Sequence, residues 1–162
     1  MSMQHSRTWR TTAGMALGSA ILVASSSGRC LAQGAETLKA LGAYRLTVPT
    51  LTKVLEAGQA IEKSPDAKPI GEATAELTRM SIEQVMAVTD KYPSMKRAVA
   101  SSGLSNREFS TALLSLTWAT RYLAEEEMMK GMGKTPPGPP AHVPKANVDL
   151  VRRNRALIEK YQ

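Results

Sequence analysis

Residues 105 to 130 constrain the fold of this chain more than any other stretch. Ser105-Asn-Arg-Glu108 has the spacing of a capping box, in which the first hydroxyl and the carboxylate three residues on satisfy free N–H groups at a helix start. A long helix-forming run follows to about Lys130, and Gly131 stops it. Phe109, Ala112, Leu113, Leu116, Ala119, Thr120 and Leu123 form one wide apolar face, and Leu114, Trp118 and Tyr122 form a second. A helix that is apolar on two faces is buried centrally, with other helices around it. The spacing therefore predicts an all-α fold: a small bundle of four to five helices packed around the helix at 106–130.

The surrounding helices follow from the same signals. Thr47 is an N-cap and Pro49 fits the first turn, where a missing N–H costs nothing. Leu51, Val54, Leu55, Gly58 and Ile61 then repeat at helical spacing, to an end near Lys63. Two prolines make 64–69 a loop, and 72–79 reads as a short helix. Ser81 and Gln84 form a second capping box, with Ile82, Val85 and Met86 facing inward. Pro93 opens another short helix, and Gly103 closes it as a C′ residue. Residues 131–144 hold five prolines and three glycines, which excludes regular helix and leaves an ordered, polyproline-like crossover, with a disordered loop as the alternative. Asn147 then caps a final helix from Val148 to about Tyr161. Gly34 and Gly42 weaken any helix in 33–46, which reads as an extended or weakly helical lead-in to a single domain at 47–162.

The first 32 residues read as a signal peptide that is removed. Arg7 and Arg10 supply a positive start, Ala13–Ala24 an apolar run, and Cys30-Leu-Ala32 small residues at the positions a signal peptidase reads. The apolar run is shorter than the roughly 20 residues a membrane span needs. Arg29 stands where a lipoprotein requires a small residue before its cysteine, and Thr8-Trp9 separates the two arginines that a twin-arginine signal keeps adjacent. Cleavage after Ala32 places the protein in the periplasm or outside the cell and excludes nucleic-acid partners. It also removes Cys30, so the mature chain carries no cysteine and no thiolate chemistry. Three of the 21 basic residues leave and no acid does, so a formal charge of +7 becomes +4. That balance is ordinary for a soluble domain and compatible with peripheral contact to an anionic membrane or cell-wall polymer.

Few residues carry chemistry. His142 is the one imidazole after cleavage, because His5 lies in the signal. Met128 and Met132 share a helix face if the helix survives Gly131, and with His142 they make a candidate copper site, since thioether sulfur suits Cu(I). The plainer reading is methionine as core filling at a helix end. A haem held by Met and His is the related alternative. Glu125-Glu-Glu127 points in three directions, so one metal does not collect it, and Glu126 with Lys130 makes an i, i+4 ion pair. Arg152, Arg153 and Arg155 form the one basic cluster, either a contact for a phosphate head group or acidic partner or a solvated helix face. An enzyme of unfamiliar type would need a cleft gathering Arg107, Glu108, Tyr122 and Asn147. Phosphate loops, HExxH and GxSxG motifs are absent.

Gly103-Leu-Ser-Asn-Arg-Glu-Phe109 and Val143-Pro-Lys-Ala-Asn-Val-Asp-Leu-Val151 resemble the two helix starts of a group of exported, Ala-rich, all-helical bacterial proteins of unknown function. The resemblance covers roughly 44–160, and Arg107, Glu108 and Asn147 match its recurring polar residues. It implies the bundle architecture and export, and it supplies no activity. The expected function is a non-enzymatic binding or interaction protein of the bacterial envelope, needing no cofactor and taking a protein, lipid-like or cell-wall ligand. Mass spectrometry of the protein from its own envelope is expected to give a chain beginning at Gln33. A mass that retains Met1, or a lipid on Cys30, contradicts that processing.

Overall fold

The computed structural model describes residues 34–161, so the expected signal segment 1–32 and its cleavage site lie outside the described residues. Among the described residues there are eight α-helices and no strand: α1 (Ala35–Ala43), α2 (Val48–Glu62), α3 (Ala67–Ala73), α4 (Ile82–Lys91), α5 (Pro93–Ser102), α6 (Asn106–Gly131), α7 (Lys145–Arg153) and α8 (Arg155–Lys160), with a 3₁₀ turn at Leu77–Arg79. The all-α bundle has more pieces than four or five because three short helices join it. None of these helices is long and apolar enough to cross a membrane.

Local chemistry sets most of the boundaries. Thr47 Oγ1 accepts from the Thr50 N–H at 3.3 Å and starts α2, with Pro49 in its first turn. Ser81 and Gln84 complete their box, since Ser81 Oγ accepts from the Gln84 N–H and Gln84 Oε1 accepts from the Ser81 N–H. Gly103 ends α5 at φ +70°, the left-handed conformation glycine adopts without strain. At α6 only half of the expected box forms. Ser105 Oγ accepts from the Glu108 N–H at 3.1 Å, and no hydrogen bond returns from Ser105 N–H to the Glu108 carboxylate.

Two apolar clusters flank α6, one on each of its apolar faces. Phe109, Ala112, Leu116 and Ala119 pack with Leu51 and Val54 of α2, Met95 and Val99 of α5, and Val148 and Val151 of α7. Leu114 packs on the other side with Leu41 of α1, Leu77, and Ile82 and Val85 of α4. Trp118 and Leu113 touch both clusters. Thr120, placed on the inner face by its spacing, is exposed.

Three expectations need correction. The segment before Thr47 is extended over 44–47 as expected, but its helical part is not weak. α1 is a full helix with Leu41 completely buried, and its buried Thr37 hydroxyl accepts from the Ile82 N–H, a free donor at the start of α4. Pro69 does not belong to a loop. It stands third in α3, where its missing N–H has no intrahelical partner to lose, and α3 ends at Ala73 rather than continuing through 72–79. Asn147 does not cap the last helix, which starts two residues earlier with Pro144 at the cap position and breaks at Asn154.

Asn147 is 1% exposed and turned into the structure. Its Oδ1 accepts from the Leu46 N–H at 2.9 Å and its Nδ2 donates to the Tyr44 carbonyl at 3.1 Å. The extended arm 44–47 therefore has two of its backbone groups satisfied by one side chain a hundred residues away. The Asn147→Ala variant leaves the buried Leu46 N–H without a partner and the Tyr44 carbonyl with only the Arg45 guanidinium at 3.3 Å, and urea denaturation is expected to show a loss of about 1–3 kcal/mol. A loss below about 0.5 kcal/mol would mean that water replaces the amide.

Candidate functional site

The charged residues singled out in the sequence meet along the outer side of α6, α7 and α8. Glu126 pairs with Lys130 on its own helix and with Arg152 of α7 at 2.7 Å. Arg152 also reaches Asp149 at 2.9 Å, and Asp149 pairs with Lys145 at 2.6 Å. Arg155 of α8 spans Glu127 at 2.8 Å and Glu159 at 3.1 Å, while Glu125 pairs with Arg121 at 2.8 Å. Glu126 and Glu127 thus neutralise Arg152 and Arg155, and these pairs fasten the last two helices to α6. Arg152 and Arg155 are spent within the chain. Arg153 is exposed and has no ion pair among the described residues, so the expected three-arginine anion contact reduces to one residue.

Two of these carboxyls, Glu126 and Asp149, are held below the ordinary range. Glu126 is lowered first by its hydrogen bond from Lys130 and then by Arg152, and Asp149 by its hydrogen bond from Lys145. A lowered carboxylate contributes stability above its unfolded value, near 4. That contribution is lost as the pH falls through the folded value.

The crossover 133–144 lies against α1 and α6. The Tyr122 hydroxyl donates to the Pro137 carbonyl at 2.8 Å, and Val143 is buried. The His142 ring meets the Trp118 ring edge-on, with centroids 4.6 Å apart and planes at 80°. The Arg121 guanidinium lies 5.5 Å from the Trp118 ring centroid. His142 Nε2 and Trp118 Nε1 are both buried without a hydrogen-bond partner. Burial pushes the His142 imidazole below its usual range, so it is neutral at pH 7.

That placement separates the expected metal ligands. α6 does survive Gly131, and the Met132 N–H donates to the Met128 carbonyl, so both methionines face one side. They are 44% and 54% exposed, which removes the core-filling explanation for them. His142, however, packs at Trp118, and Met128 and Met132 lie about 15 and 21 Å further along the helix axis. Two thioethers and the imidazole therefore do not converge on one ion. Among the described residues no group of three or more His, Cys, Asp and Glu side chains is arranged to hold a metal.

The cleft that an enzyme reading needs is likewise not assembled. Arg107 pairs with Glu83 of α4 at 3.4 Å, Tyr122 serves the crossover some 22 Å along α6, and Asn147 is consumed by the arm. Glu108 lies near enough to Tyr44 to add to the effect of burial, which raises that phenol.

One concave surface was not singled out by sequence reasoning. A groove of about 410 Å³ runs between α2 and α5, floored by Ala57, Ala60, Ser94, Ala98 and Ser101. Glu56 and Arg97 stand at it, and Ser64, whose hydroxyl has no partner, lines one end. The signal was legible in small residues at helical spacing on both helices, 57 and 60 facing 94, 98 and 101. No family model matches the chain, and neither the curated proteins nor the solved structures hold a significant match to it.

Replacing Glu126 by Gln removes one lowered carboxylate from the ion-pair network. The pH dependence of unfolding between about pH 5 and 3 is expected to flatten in that variant, by chemical denaturation at each pH. An unchanged slope would show that the pairs do not form in solution.

Proposed function

We propose that this chain is a non-enzymatic, exported binding protein of the bacterial envelope, and that it takes a polypeptide partner in the groove between α2 and α5. One observation carries the reading. The side chains with chemical potential, Asn147, Arg107, Arg152, Arg155 and Tyr122, are each committed to holding one part of the chain to another. The groove is instead lined by small side chains, which let a partner backbone approach closely. Arg97 lines it and has no ion pair among the described residues, which suits a carboxylate on the partner. Ser94, Ser101 and Ser102 add hydroxyls for a backbone to bond. The signal-like segment and the cysteine-free remainder support the envelope location.

A photo-reactive amino acid at Ser101 tests this in the native cell. A discrete adduct with a protein is expected, and it is expected to disappear when Ala60→Trp fills the groove while circular dichroism stays unchanged. An adduct that survives Ala60→Trp, or one whose mass is a glycan or a lipid, overturns the polypeptide reading.

A further inference from the structure

The crossover 133–144 is held down at a small number of points, and one of them titrates. The Ala141 carbonyl lies so close to α1 that a methyl group at Gly42 would stand 2.9 Å from it. Next to it, His142 lines a pocket of about 390 Å³ with Leu38, Lys39, Gly42 and Ala141. Its ring has two different sides. Nε2 is buried without a partner and the ring packs on Trp118, while the residue also borders the open pocket.

A neutral imidazole carries one proton and tolerates this arrangement with Nε2 bare. An imidazolium carries N–H groups on both nitrogens. It would therefore bury a charged N–H that has no acceptor, which is among the costliest arrangements in a protein interior. The charged groups on the packed elements do not relieve it. Lys39 of α1 lines the same pocket, Arg121 of α6 lies over the Trp118 ring and is paired with Glu125, and Lys134 is the one charged residue of the crossover itself. An indole face attracts cations, but Arg121 already occupies the Trp118 ring, and burial moves the His142 imidazole toward its neutral form.

We propose that His142 is an acid-released latch: the neutral ring pins the crossover 133–144 over Trp118, and the protonated ring lets the crossover lift and uncover Trp118. The sign follows from linkage. The proton binds more tightly to the lifted form, so the closed form is complete above the ordinary histidine value near 6.5 and is lost as the pH falls below it. Opening is expected to rise about tenfold per pH unit below about 6.5, until the closed-state value is reached.

Hydrogen exchange of the amides between 134 and 143, followed by NMR from pH 7.5 to 5, reads this opening directly. The expected result is a loss of amide protection confined to the crossover, measured against the intrinsic exchange rate at each pH, with a His142 titration below about 6.5, red-shifted Trp118 emission and constant helical circular dichroism. His142→Phe keeps a ring against Trp118 and cannot take a proton, so its crossover is expected to stay closed at every pH. If that variant does not fold, His142→Gln serves instead, with an opening that does not change with pH. A His142 that titrates at or above its ordinary value, or acid opening that persists in either variant, overturns the latch. Loss of helix over the same pH range overturns it as well.

Discussion

The bond pair between Asn147 and the arm 44–47 is the constraint on which the rest of this structure depends. The arm runs extended between α1 and α2: its end groups bond to those helices, the Tyr44 N–H to α1 and the Thr47 carbonyl to α2, while the Leu46 N–H and the Tyr44 carbonyl between them have no ladder or helix to pair with. A buried, unpaired peptide group costs enough that such an arm stays in the core only if something supplies both a donor and an acceptor. Asparagine is the short side chain that does so in one residue. Because Asn147 sits in the first turn of α7, the same two bonds fix where α7 starts. That position sets the path of the crossover leading into it and the register in which Arg152 meets Glu126. α1 is held from both of its ends by this arrangement, by Thr37 against α4 and by the arm against α7.

The pattern recurs across the fold. Helix starts are satisfied by side chains from distant segments, Thr37 for α4 and Asp66 for α5 through the Ser94 N–H at 3.3 Å, and Asn106 at the start of α6 donates to the Met86 carbonyl within α4 at 3.2 Å. Such bonds are individually modest. They are also directional, so they choose one packing among the many that apolar contacts would accept. The described residues hold no cysteine, so this and close packing are their means of specifying a single structure.

The legible part of the fold was the part written locally. Capping at Thr47 and Ser81, the left-handed Gly103 and the two apolar faces of α6 depend on residues three to seven apart, and periodicity reveals them. Asn147 was misread because an asparagine ahead of an apolar run has the pattern of a cap, and its real partners stand a hundred residues earlier. Pro69 was misread because proline at the third helical position and proline in a loop look alike in sequence. Gly34 and Gly42 concealed α1, whose helix rests on the burial of Leu41 and Thr37 rather than on propensity. At the site, the i, i+4 pair of Glu126 with Lys130 was legible, whereas the pairing of 126 and 127 with 152 and 155 required knowing that α7 folds back on α6. The groove escaped attention because small residues on two helices form a concavity only when those helices face each other.

The most direct test of this account is native-state hydrogen exchange of the Leu46 amide. If the Asn147 clamp organises the bundle, that amide opens only when the whole molecule unfolds. Its exchange free energy then equals the global unfolding free energy measured with denaturant. Exchange through a local opening, at a free energy close to that of the exposed turn at Gly133, would contradict the account. The arm would then rest on the bundle without holding it together.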